Sequence, residues 1–116
     1  MPIEESVGAL EQLRLEGKIR LIGLSNVSVA QLRAAQTVAR IVSVQNEYNR
    51  GLTISEPVLE ACEAEGIAFM PWRPLGESLR EPAFELRWLL DRSPVMLPIP
   101  GTSNVAHLEE NMRAVA

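Results

Sequence analysis

The sequence predicts an α/β chain of parallel βα units, and three observations carry that prediction. Short apolar runs alternate with segments of helical spacing along the whole chain. The run from Lys18 to Asn26 is nearly continuous in apolar residues, as in a strand covered on both faces. Polar residues gather just after each apolar run: Ser25 and Asn26, Gln45 and Glu47, Trp72 and Arg73, Thr102 to Asn104. Those are the carboxyl ends of strands, the ligand-binding edge of α/β folds, whether barrel or open sheet.

Residues 3–17 open the chain as a helix. Pro2 and two glutamates stand at its start, Val7, Leu10 and Leu13 lie at helical spacing, and Gly17 follows its end. Residues 18–26 are the first strand. Ser28 then caps VAQLRAAQTVAR, a helix rich in Ala, Leu and Gln. The β-branched IVSVQN, residues 41–46, is the second strand, and a polar loop runs over 47–55. Ser55 and Pro57 open a third helix that Gly66 closes. IAFMPW, residues 67–72, is the third strand. A loop over 73–81 holds Pro74 and Gly76. Glu81 and Pro82 open a fourth helix with Phe84, Trp88 and Leu89 on its apolar side. Residues 95–99 are expected as a fourth strand, and Asn104 to Ala116 as the last helix.

At 116 residues one domain, 1–116, is the expectation. The composition is that of a folded protein, 47% hydrophobic and 22% charged. A net charge of −4 gives no electrostatic footprint for nucleic acid. The densest basic run, Arg14, Lys18 and Arg20, closes a helical pattern, where cations complement the helix dipole. Cys62 is the one cysteine, so no internal disulfide forms, and it reads as a small buried hydrophobe. No apolar leader and no run approaching a membrane span is visible, so no membrane partner is expected and the cytosol is the expected compartment.

The stretch LPIPGTSNVAHLEEN, residues 97–111, reads as strand, tight turn and capped helix. Its glycine, hydroxyls and helix start suit an anion, most often a phosphate, although an ordinary N-cap has the same pattern. Catalytic groups are scarce by comparison. His107 is the one histidine, Tyr48 the one tyrosine and Lys18 the one lysine, and Lys18 stands at the amino end of its strand. No second histidine or cysteine lies at metal-ligand spacing to His107. Glu60, Glu63 and Glu65 fall at surface positions of a helix.

Four ordered motifs, GKIRLIGLSN (17–26), VSVQNEYN (42–49), EGIAFMPWRPLG (65–76) and LPIPGTSNVAHLEEN (97–111), together resemble the aldo-keto reductases. The resemblance covers nearly the whole chain. It implies half of a TIM (β/α)8 barrel of the NADP(H)-dependent oxidoreductase type, strands five to eight, with the catalytic half absent. It also implies roles. Ser25, Asn26 and Gln45 would hydrogen-bond the nicotinamide carboxamide, and Trp72 would stack on the ring. Leu75 and Gly76 would follow the pyrophosphate. Gly101, Thr102, Ser103 and Asn104 would grip the 2′-phosphate, and Glu110 and Asn111 would contact adenine. The family's Asp, Tyr, Lys and His tetrad lies in the other half of the barrel and maps onto no residue here, so no catalytic residue is assigned.

Two departures stand out. Gly101 and His107 take places where the family often has basic residues, which weakens the preference for NADP(H) over NAD(H). The 77–81 connection is also much shorter than the family's. The alternative is a non-catalytic nucleotide-binding or oligomerisation half-barrel module; a third reading, as a phosphate-binding lyase or isomerase, would need a lysine or paired acids at strand ends, and neither is visible. With four strands alone, the inner sheet face is expected to leave Val44, Phe69 and Leu97 or their neighbours in water. Self-association, or pairing with a complementary half barrel, is the expected consequence.

Overall fold

A computed structural model describes residues 1–115; the predicted last helix therefore has its final residue, Ala116, outside the described residues. The elements run α1 (Ile3–Leu15), β1 (Gly23–Ser25), α2 (Val29–Gln36), β2 (Ser43–Glu47), α3 (Glu56–Glu65), β3 (Ala68–Trp72), α4 (Pro82–Arg92) and α5 (Val105–Met112), then a 3₁₀ turn over Arg113–Val115. The sheet is parallel with strand order β1-β2-β3, each step crossing through a helix.

Local chemistry sets the helix ends. Gly17 and Gly66 adopt left-handed φ values of 78° and 67°. There they close α1 through Lys18 N–H to the Leu13 carbonyl at 3.0 Å, and α3 through Ile67 N–H to the Cys62 carbonyl at 2.9 Å. Ser28 caps α2 with a reciprocal box, in which its hydroxyl accepts from Gln31 N–H and the Gln31 side chain accepts from Ser28 N–H.

The predicted fourth strand is a correction. Residues 95–99 make one parallel bridge, Phe69 to Met96. Phe69 N–H donates to the Val95 carbonyl at 2.9 Å, and Leu97 N–H donates to the Phe69 carbonyl at 2.8 Å. The next rung would need a donor from residue 71, which is a proline and has no N–H. Pairing stops there, and the described sheet has three strands rather than four.

The core lies between the sheet and the helices. Leu32, Val44, Tyr48, Leu59, Cys62, Phe69 and Leu89 are fully buried there. Tyr48 sits edge-on to Phe69 with ring centroids 5.7 Å apart and is stacked with Trp88 at 6.2 Å. Its hydroxyl donates to Glu56. Cys62 is packed as a small hydrophobe, and burial first, then the Glu65 charge, pushes its thiol up to about 11.

Val44 and Phe69 therefore do not face water, contrary to the expectation; they pack on the helix side. Strand side chains alternate faces, so the opposite, open face carries Gly23, Ser25, Ser43, Gln45, Glu47, Ala68, Met70 and Trp72. Leu97 does face out, at 54% exposure. The open face is thus largely small and polar. An exposed apolar stripe runs instead along α5 through Val105, Leu108 and Met112 and continues to Val115 in the 3₁₀ turn.

Burial decides which truncations matter. Leu59→Ala is expected to lower unfolding stability by ~2–5 kcal/mol. Leu108→Ala, on the exposed stripe, is expected to shift it by less than about 0.5 kcal/mol. Urea unfolding followed by far-UV circular dichroism checks both, and equal effects would contradict this placement of the core.

Candidate functional site

Three strand ends meet at one edge. Ser25 closes β1 and is paired in register with Gln45 of β2, which is paired in turn with Met70 of β3. Asn26 follows Ser25 at φ 56°, a left-handed conformation that asparagine tolerates better than most residues. Its N–H still donates to the Gln45 carbonyl at 3.0 Å, so the turn begins inside the ladder. Its side-chain oxygen accepts from the Trp72 indole N–H at 2.8 Å. That bond ties the end of β1 to the end of β3 and fixes the indole above the open face. Asn26 keeps its amide NH₂ to offer a ligand.

Asn46 escaped the sequence reading. It is buried, and its amide holds both main-chain groups of Val27: the oxygen accepts from Val27 N–H at 3.0 Å and the NH₂ donates to the Val27 carbonyl at 2.8 Å. A polar residue at the position where Val44 sets the buried face was the available signal.

Beyond β3 the chain turns at Arg73 (φ 49°) and Gly76 (φ 58°). A cleft of about 290 Å³ lies between Arg73, Leu75 and Gly76 on one side and Ile99, Pro100 and Gly101 on the other. Leu75, Gly76 and Gly101, predicted as neighbours along one ligand, are thus brought together. Thr102, Ser103 and Asn104 follow on the exposed start of α5. Thr102 Oγ1 accepts from Asn104 N–H at 3.1 Å, and Asn104 Oδ1 accepts from His107 N–H at 3.2 Å, the expected N-cap.

A turn and a half further on, Glu110 is half-buried and Asn111 is buried at 8% exposure. Among the described residues, Asn111 Oδ1 is the buried side-chain oxygen left without a protein partner. The residue lines an apolar groove of about 430 Å³ between Leu86 and Leu90 of α4 and Leu108 of α5, which shares Ile99 and Pro100 with the first cleft. An orphaned buried acceptor costs ~1–3 kcal/mol unless something donates to it.

A second polar cluster also escaped the sequence reading. Glu85 of α4, 2% exposed, accepts from Arg50 Nε at 3.0 Å and Nη2 at 2.8 Å and from the Ser78 hydroxyl. The short 77–81 connection is thereby pinned to the loop after β2. The Arg50 hydrogen bonds hold the Glu85 carboxyl below the ordinary glutamate value. Glu60, Glu63 and Glu65 are exposed, as expected of a solvated helix face.

The comparisons with known proteins bear on this geometry. The sequence pattern of the aldo/keto reductase family matches residues 1–85. This chain belongs to the aldo/keto reductase family. It is 42% identical over 131 residues to an uncharacterized oxidoreductase of Schizosaccharomyces pombe, covering 98% of the chain and 43% of that protein. It is 41% identical over 128 residues to pyridoxine 4-dehydrogenase of Escherichia coli, covering 97% of the chain and 45% of that protein. A thermostable aldo-keto reductase crystallised with the inhibitor epalrestat superposes with a TM-score of 0.87 at 29% identity, over 99% of the chain and 50% of that structure. The chain thus spans about half the length of the relatives it matches, and its βα units are those of half an aldo-keto reductase barrel. The S. pombe match runs over 131 residues against 116 here, so at least 15 residues of that stretch have no counterpart in this chain. No helix among the described residues is long and apolar enough to cross a membrane.

The Glu85 cluster predicts a pH dependence. A depressed carboxyl adds stability that is present above its unfolded value and lost as pH falls through the folded one. Wild-type stability should therefore decline as pH drops below 4.5, and Glu85→Gln should flatten part of that decline while lowering stability at pH 7. Urea midpoints measured from pH 7 to pH 3 check it; a parallel decline in both proteins would count against the cluster.

Proposed function

We propose that this chain supplies the cofactor-binding half of an NADP(H)-dependent aldo-keto reductase. The reaction is reversible carbonyl reduction, for which the bound nicotinamide supplies the hydride. The observation that carries the reading is the shared edge of Ser25, Asn26, Gln45 and Trp72, with the indole locked by Asn26. Ser25, the free NH₂ of Asn26 and Gln45 are suited to the carboxamide, and Trp72 to the face of the ring. Leu75 and Gly76 flank the path of the pyrophosphate. Gly101, Thr102, Ser103 and Asn104 offer hydroxyls and helix-start N–H groups to the 2′-phosphate. Glu110 and Asn111 take the adenine end, beside the apolar groove that Asn111 lines and close to its unpartnered buried Oδ1. Because residues 101–104 carry no cation, NAD(H) is the competing cofactor.

The acid-base tetrad is assigned to a complementary half barrel, so the chain alone is proposed to be inactive. The exposed α5 stripe with Leu97 and Ile99 favours a second property, association with that half or with another copy.

Titration with NADPH, following tryptophan emission, tests the cofactor reading. Quenching that is lost in Trp72→Phe supports it, and unchanged emission at millimolar NADPH overturns it. Asn111→Leu is expected to weaken NADPH about tenfold, the ~1.4 kcal/mol of one hydrogen bond.

Association has its own readout. Sedimentation velocity at micromolar concentration should show species larger than a monomer that shrink in Leu108→Asp with Met112→Asp. A monodisperse wild-type monomer would overturn self-association.

A further inference from the structure

The last main-chain rung between β2 and β3 is Tyr48 N–H to the Trp72 carbonyl at 3.3 Å. One residue on, the two chains diverge, and Asn49 bridges them with its side chain. Its main chain is committed to its own turn, exchanging both hydrogen bonds with Leu52 at 3.1 and 3.0 Å. Its Oδ1 accepts from Gly51 N–H at 3.0 Å, which fixes the amide plane. Its Nδ2 then donates at 3.0 Å to the Arg73 carbonyl, the same oxygen that accepts from Gly76 N–H at 3.1 Å to close the 73–76 turn. Gly76 rests directly on the amide: a Cβ there would lie 2.8 Å from Asn49 Cγ and Oδ1, and Gly76 has a left-handed φ of 58°. Both left-handed residues of the turn are thus held by one buried side chain on a neighbouring loop.

We infer that Asn49 is a positioning residue for the cofactor, acting through the 73–76 turn whose Leu75 and Gly76 form one wall of the cleft facing Gly101. This rests on the cofactor reading above. Asn49 lies on the far side of the turn and touches no proposed contact of the nicotinamide or the adenosine phosphate. Its effect is therefore confined to ligands that run past the turn.

The test is calorimetric titration of the full chain with two probes. NADPH carries a pyrophosphate past the turn; adenosine 2′-monophosphate engages only residues 101–104 and the adenine end at Glu110 and Asn111. Asn49→Asp keeps the acceptor for Gly51 but replaces the donor to Arg73 with a carboxylate oxygen. Gly76→Ala leaves Asn49 intact and drives a methyl into its amide. Each variant is expected to weaken NADPH about tenfold, as in losing one well-placed hydrogen bond, and to leave adenosine 2′-monophosphate within twofold of wild type. If Asn49→Asp does not fold, Asn49→Ser, which removes the same donor to Arg73, carries the comparison, because Gly76 is itself a proposed cofactor contact. Unchanged NADPH affinity, or equal loss of both probes, would overturn the positioning role, the second outcome indicating a merely structural one. Failure of wild type to bind either probe would instead bring down the cofactor reading beneath it.

Discussion

A parallel sheet has two faces, and in this chain the helices cover one. That constraint orders the rest of the structure. The residues able to bury apolar area, Val44, Phe69 and Tyr48 with Leu32, Leu59 and Leu89, all collect on the helix side. The other face is left to glycine, serine, glutamine, glutamate and alanine, with Met70, Trp72 and Leu97 as its larger apolar members. A face of that composition tolerates water far better than a row of valine and phenylalanine would. The price falls at the chain's far edge, where the stripe on α5 stays exposed.

The functional edge is built largely by asparagine side chains, which carry both a donor and an acceptor. Asn26 turns left-handed and holds the indole of Trp72. Asn46 clasps Val27, so the loop after β1 is fastened to β2. Asn49 seats the turn after β3, and Asn104 caps α5. The first three close gaps where neighbouring strands part, and Asn104 satisfies a main-chain N–H at a helix start. Asn111 differs, because its buried oxygen has no protein partner, while the residue itself lines a groove. Four of the five are spent on shaping the edge, and the fifth leaves an acceptor without a protein partner.

The short connection after β3 is handled by charge rather than by length. Glu85 is almost fully buried, yet two guanidinium hydrogen bonds and a hydroxyl satisfy it. A buried carboxylate is tolerable only with such partners. Arg50 also lies 5.4 Å over the Phe84 ring, so one arginine joins the β2 loop to α4 by charge and by stacking.

By itself the sequence determined the order of the helices and of the first three strands, the helix ends, and the gathering of Ser25, Gln45 and Trp72 at strand ends. These are local matters: glycine at a left-handed stop, serine or asparagine at a cap, and the period of apolar residues are written in consecutive residues. The tertiary structure alone decided which alternate residues of β2 and β3 are buried, because the period of two defines the two faces without saying which one the helices cover. It decided that residues 95–99 pair through a single bridge, since the missing donor is Pro71 on the neighbouring strand. It also decided the partners of Asn26, Asn49 and Glu85, which stand 46, 24 and 35 residues away in the chain. A side chain's identity states what it can donate or accept; the fold chooses the group that answers it.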